Sequence, residues 1–217
     1  MKSRFPDLYE ALLRCHGPQG WWPADDAFEV MVGAILTQRT AWRNAEIALA
    51  RLREEGLVDP VRLERLSTTR LGDLIRPAGF FKVKAGRLKN LLRWLRRHGG
   101  FDGLNQLPTD ELRAELLSVS GIGPETADDI LVYAFGRPVF VADAYARRIF
   151  RRFGLIPGGE GYEEIRSMVE RAMPPDASRL GEMHALLVTH GKRYCRARPL
   201  CDACCLKRRC ARRINDK

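Results

Sequence analysis

The sequence predicts an all-α protein. Apolar residues recur at helical spacing in one segment after another, and Gly- or Pro-containing breaks separate those segments. No two alternating apolar runs flank a hairpin turn, and the apolar run 139–141 is too short to carry a sheet.

Each element follows from its own residues. Segment 6–14 places Leu8, Leu12 and Leu13 on one face, and 27–36 is apolar almost throughout, as in a buried helix. Segment 42–52 is amphipathic, and 60–66, 68–75, 82–95 and 109–117 continue the helical pattern. Thr109 is expected to cap its helix after Pro108, with Asp110 and Glu111 at the positive end. Segments 145–153, 162–172 and 178–190 complete the series. The breaks fall at Gly99-Gly100, Pro157-Gly158-Gly159 and Met173-Pro174-Pro175.

The chain is organised around residues 116–143, LLSVSGIGPETADDILVYAFGRPVFVAD. This reads as helix, glycine hairpin, helix, short link and aspartate. Gly121-Ile122-Gly123 forms a turn expected to exclude side chains at both glycines, and Pro124 opens the second helix, where no backbone donor is needed. Ala127, Ile130, Leu131 and Ala134 give that helix a buried face. Asp143 follows the apolar Phe140-Val141-Ala142, so it needs a partner, a helix to cap, or a chemical task.

The chain has 217 residues and is 45% hydrophobic, enough for one large or two small domains with a sizeable core. It has no uncharged apolar run of about 18 residues, and its first residues carry acids without an apolar signal core. No membrane segment or secretion signal is expected. The formal charge is +10 and the isoelectric point about 9.7, which suggests a polyanionic partner, most simply nucleic acid. One basic cluster spans 82–97 with no acid, and a second spans 192–217. Read blandly, both are solvated surface.

Five of the six cysteines fall in the C-terminal segment, as Cys195-RARPL-Cys201-DA-Cys204-Cys205-LKRR-Cys210. An extracellular disulfide framework would spread them through the fold, so the cluster points to a metal site in a reducing compartment. Four thiolates on one looping segment suit tetrahedral zinc or an iron–sulfur cluster. The single C-x2-C pair tilts the choice towards a cluster. Cys205 is an extra thiol beside Cys204 and an alternative ligand.

Taken together, GIGPETADDILVYA with VFVADAY, the run His190-Gly191-Lys192 into the cysteine loop, AILTQRTAWRNAEIAL and AGFFKVKAGRLKNLL resemble the endonuclease III superfamily of helix–hairpin–helix DNA glycosylases. The resemblance runs from about Trp21 to Cys210, with four motifs in the family's order. It implies two helical domains with an active site in the cleft between them. A six-helix barrel would occupy 25–137, with the helix–hairpin–helix at about 112–134. A cluster domain would take 1–24 and 138–217, with the cluster loop at 195–210. It further implies a 4Fe–4S cluster on Cys195, Cys201, Cys204 and Cys210, and a monovalent cation at the hairpin. The first cysteine gap is five residues where the family has six.

For the site, the resemblance implies Asp143 as the catalytic carboxylate and Gly121 and Gly123 as the phosphate-gripping turn. Gln38 and Phe80 become residues that fill the space left by a flipped nucleotide. Glu125, a substrate-pocket residue by the same resemblance, stands where nicking members hold a lysine, so no Schiff base forms there and the base is removed by water alone. Trp21, Trp22 and Trp42 match the 3-methyladenine branch, in which aromatic rings stack on a cationic alkylated purine; the plain alternative is that they are core anchors. The expected partner is double-stranded DNA carrying a damaged base, bound by a monomer in the cytoplasm at the nucleoid. Two other readings stay open: a glycosylase for mismatched uracil or thymine or for oxidised pyrimidines, and a non-catalytic iron–sulfur DNA-binding module.

Overall fold

The computed structural model describes residues 4–212. They hold twelve α-helices, one 3-10 turn and no strand. The chain divides into two compact units, one of residues 24–135 and one combining residues up to Pro23 with those from Gly136 onward.

α1 (Phe5–His16) belongs to the second unit, while α2 (Ala27–Leu36) opens the first. The Asp26 side chain accepts the Glu29 amide at 2.8 Å and caps α2, which is buried along nearly its whole length. Glu29 is itself buried and pairs with Arg53 of α3 (Trp42–Glu54). α4 (Pro60–Arg65) and α5 (Thr68–Leu74) are short and capped by Asp59 and Ser67. α6 (Phe81–Arg97) follows the 3-10 turn Arg76–Ala78.

α7 (Gly100–Asn105) departs from the expected break at 99–100. Gly99 and Gly100 have φ of 72° and 74°, a conformation that ends α6 and starts a new helix at once. α8 (Thr109–Ser118) also differs in its start. Thr109 is the first helical residue and Pro108 holds the cap position, with no side-chain hydrogen bond.

α9 (Pro124–Ala134) buries Ala127, Ile130 and Leu131, and Ala134 is half-buried. Asp128 of α9 is fully buried and paired fork-to-fork with Arg113 of α8, at 2.7 and 3.1 Å. Asp129 is buried as well. The bidentate pair fixes the angle at which the two hairpin helices leave the turn.

Two lysines of the basic segment 82–97 serve the fold instead of its surface. Lys84 is 1% exposed, and its ammonium donates to Leu36 O, Thr40 Oγ1 and Ala78 O, each at 2.8 Å. Burial, with Arg87 adding to it, pushes Lys84 down to about 8, which still leaves roughly nine in ten protonated at pH 7. Only the ammonium offers the three donors this nest requires. Lys89 closes the end of α4 through Leu63 O at 3.1 Å, Glu64 O at 2.6 Å and Leu66 O. Lys84→Met keeps the volume but orphans buried acceptors. It is expected to lower stability by about 2–3 kcal/mol, read as a shift of the urea midpoint.

In the second unit, α1 packs with α10 (Ala144–Phe153), α11 (Tyr162–Ala172) and α12 (Ala177–Arg193). Their core joins Phe5, Leu8, Leu12, Phe140, Ile149, Phe150, Ile165 and Leu186, and Leu206 of the cysteine loop enters the same cluster. The part of the second basic cluster beyond Arg212 lies outside the described residues.

Candidate active site and cysteine cavity

The hairpin lies in the unit of residues 24–135. Gly121 has φ +101°, and a Cβ there would meet Arg87 Cγ at 2.3 Å, because the Arg87 side chain lies across the turn. Gly123 is different. Its φ is −98° and a Cβ would meet nothing, so the expected steric need for glycine holds at Gly121 alone. At Gly123 the glycine leaves open space beside the N-terminus of α9, where backbone N–H groups and the helix dipole favour an anion.

Three carbonyls of the turn already accept hydrogen bonds. Val119 O takes the Ile122 amide at 3.0 Å, Ser120 O takes Asn90 at 2.9 Å, and Gly121 O takes Gln38 Nε2 at 3.0 Å. Gln38 also donates to Thr126 Oγ1 at 2.9 Å and accepts from Arg87. Gln38 is thus tied to the hairpin and is not projecting into solvent. Gln38, Arg39, Arg87, Gly121, Gly123 and Glu125 line one open pocket, with Glu125 exposed on the first turn of α9.

Phe80 is 62% exposed and is no part of the core. It has φ +46°, rare for a bulky residue, and Arg39, at φ +52°, carries its guanidinium 5.9 Å from the Phe80 ring. Strained non-glycine residues of this kind concentrate at working surfaces. Lys84 braces both loops, through Leu36 and Thr40 on one and Ala78 on the other. Arg39, Lys84 and Arg87 were not legible as site residues, because in sequence they are three cations among many. Trp42 is half-buried at the start of α3.

In the other unit, Asp143 is 7% exposed and caps α10, its Oδ1 accepting the Ala146 amide at 2.7 Å. Its Oδ2 lies 3.7 Å from His184 Nε2. Lys192 stands within the electrostatic reach of Asp143, whose carboxylate partly offsets the lowering of the lysine by burial. The Lys192 ammonium also lies 5.9 Å from the centre of the Trp21 ring. Trp21 and Trp22 are half-buried in an irregular segment beyond α1 and meet edge-to-face at 5.5 Å. Gln19 anchors that segment to α12. Its amide donates to Glu182 at 2.7 Å, and its side chain accepts from Thr189 at 2.7 Å. Asp143, His184, Lys192 and Trp21 therefore share one neighbourhood, of which Lys192 and His184 were not expected as site residues.

Cys195, Cys201, Cys204 and Cys210 are free thiols lining a single cavity walled by Ile149, Phe153 and Leu206. Arg152 donates to Cys195 Sγ at 3.6 Å and the Arg212 amide to Cys210 Sγ at 3.4 Å. Loop carbonyls are held by α10: Arg148 binds Cys195 O at 2.8 Å and Arg152 binds Arg196 O at 2.6 Å. Burial raises the thiols of Cys204 and Cys210, so a metal would displace protons there. The donor set fits an iron–sulfur cluster: four sulfurs around one apolar cavity, with N–H donors to the sulfurs. Cys205 is not in this set. It forms a disulfide with Cys15, 190 residues away in sequence, so Cys204 takes the cavity position.

His190 lies behind Cys204, with Nε2 at 3.6 Å from the sulfur and Nδ1 at 3.0 Å from His16 Nε2. Burial, with His16 beside it, pushes His190 down to about 4, so it is neutral at pH 7.

Residues 32–175 match the model of the HhH-GPD superfamily base excision DNA repair proteins. The chain is 45% identical over 206 residues to a predicted DNA repair glycosylase of Methanocaldococcus jannaschii, covering 94% of each protein. It is 32% identical over 187 residues to endonuclease III of Thermotoga maritima, covering 85% of this chain and 83% of that one. Among solved structures it resembles an H. pylori 3-methyladenine DNA glycosylase bound to 1,N6-ethenoadenine, with a TM-score of 0.76 and 28% identity over 89% of this chain and 98% of that one. An endonuclease III–DNA complex, at 21% identity and a TM-score of 0.82 over 99% and 96% of the two chains, shares the fold. The chain belongs to the HhH-GPD superfamily of base excision DNA repair proteins.

Proposed function

We propose that this DNA glycosylase is monofunctional: it hydrolyses the N-glycosidic bond of alkylated purines in double-stranded DNA and leaves the strand intact. The observation that carries this reading is Glu125, exposed on the first turn of α9 beside the glycine hairpin, at the position where the nicking members hold lysine. A carboxylate there cannot form a Schiff base with the sugar.

The target nucleotide leaves the stack and enters a pocket. The Gly121–Gly123 turn and the positive end of α9 hold a phosphate without reading sequence. A monovalent cation at the turn would use the second lone pairs of its carbonyls. Phe80, with Arg39 over its ring, fills the space left in the duplex, and Gln38 shapes the adjoining surface. Asp143 stabilises the positive charge that develops on the sugar and orients water for attack at C1′. Trp21, Trp22 and Trp42 stack on the base. The four cavity cysteines hold a 4Fe–4S cluster, which cross-links the loop, and the exposed Arg196, Arg198 and Lys207 face phosphates.

The likeness to the H. pylori enzyme, whose structure holds 1,N6-ethenoadenine, supports a purine substrate. The likeness to the Thermotoga maritima endonuclease III favours a second reading, an oxidised pyrimidine. Release assays on duplexes carrying 3-methyladenine, 7-methylguanine, uracil or thymine glycol separate the two. The methylated purines are expected to leave at least about 10-fold faster than thymine glycol, a difference of roughly 1.4 kcal/mol in barrier. Faster release of thymine glycol would establish the second reading.

A further inference from the structure

The cavity of four cysteines leaves two cysteines unassigned. Cys15, in the last turn of α1, and Cys205, on the cysteine loop, are joined as a disulfide. His16 lies beside them: the two sulfurs and a ring nitrogen of His16 are all within 4.8 Å of one another. The set is partly open to solvent, with Cys15 and His16 half-buried and Cys205 exposed.

The hydrogen-bond contacts distinguish the two nitrogens of the His16 ring. His190 faces Cys204 through Nε2 and His16 through Nδ1. The His16–His190 contact occupies Nε2 of His16 and leaves Nδ1 as the ring nitrogen free to serve as a ligand. That Nδ1 is buried and has no hydrogen-bond partner among the described residues. A buried ring nitrogen without a partner, whose opposite nitrogen is held by a second histidine, is the usual arrangement of a metal-ligating imidazole. The disulfide gives that nitrogen no partner, whereas a metal ion held by two thiolates would.

We propose that Cys15, Cys205 and His16 form a second metal site for one thiophilic divalent ion of the zinc type, closed as the disulfide and opened by reduction. In the opening step a dithiol reductant supplies two electrons and two protons and becomes a disulfide itself. The Cys15–Cys205 bond breaks to give two thiols. Binding exchanges those two thiol protons for one Zn2+, His16 keeps its Nε2 proton, and a water closes the tetrahedron. Two sulfurs and one imidazole suit zinc better than a hard cation such as Mg2+. The proposal concerns residues outside the four-cysteine cavity and does not depend on which base the protein releases.

The test uses the iron-loaded full chain, reduced with a dithiol under anaerobic conditions and then freed of reductant. Zn2+ is titrated against a chromophoric chelator while iron is measured in the same sample. The reduced protein is expected to take up one zinc per chain with its iron content unchanged, and the disulfide form none. Cys15→Ser and, separately, His16→Ala should each weaken zinc binding by at least about 10-fold with iron retained. His16→Ala leaves both thiols in place and so isolates the imidazole. Absence of uptake by the reduced protein, equal uptake by the disulfide form, or unchanged affinity in both variants would overturn the site. Uptake accompanied by iron loss would also overturn it, because the ion would then have entered the four-cysteine cavity.

Discussion

Asp143→Asn lowers base release by about 100- to 1,000-fold and leaves duplex affinity within about twofold. The substitution isolates charge from structure. Asparagine caps helices as well as aspartate does, so its side-chain oxygen still accepts the Ala146 amide that Oδ1 accepts at 2.7 Å. The thermal midpoint should therefore stay within about 2 °C of the parent, since no cap and no core contact is lost. What disappears is the negative charge held, 7% exposed, at the start of α10. Single-turnover release on a methylated duplex measures the first quantity and filter binding the second. A drop in affinity as large as the drop in rate would mean that Asp143 binds DNA and does not act on the sugar.

Glu125→Lys is expected to convert base removal into strand cleavage. The position is exposed on the first turn of α9, so the longer side chain meets no core. A cation at a helix N-terminus costs about 0.3–1 kcal/mol, small enough for the fold to survive. The new amine can attack C1′, displacing the base and leaving a Schiff base that borohydride reduces to a permanent adduct. The parent should give neither adduct nor nick. The variant should give both, with the nicked fraction rising from background to a comparable share of the base released.

How much of this was legible in the sequence depended on range. Helices with strong apolar periodicity were legible because the pattern is local, and so was the α9 start at Pro124. Asp143 was legible twice over, as a cap and as an acid after an apolar lead-in, and the structure places it in the capping role. Local rules failed where a distant residue decided the outcome. Gly121 is required because Arg87 lies over it, yet nothing in the G-x-G pattern separates it from Gly123. α7 was hidden behind two glycines that read as a break but also allow an immediate restart.

The cations show the same limit. Lys84 and Lys89 look like solvated helix charges, and only the packing of the helix ends against α6 shows that they bind carbonyls. A phenylalanine in sequence does not separate core from surface, and the left-handed backbone and 62% exposure of Phe80 are visible only in the structure. Cys15 gave no signal at all, because its partner is 190 residues away. The four cavity cysteines were legible because their spacing lies within one short loop, whereas the exclusion of Cys205 from that cavity was settled by three-dimensional placement alone.

With Glu125 in place of a lysine, removal of a base without cleavage of the strand is expected. It is tested most directly by incubating an end-labelled duplex with a single 3-methyladenine and splitting the sample. One half is treated with alkali, which breaks the strand wherever a base is missing, and the other is loaded untreated. The untreated half is expected to show a full-length strand and the alkali-treated half a cut at the modified position. A cut of equal yield in both halves, or no cut in either, would contradict it.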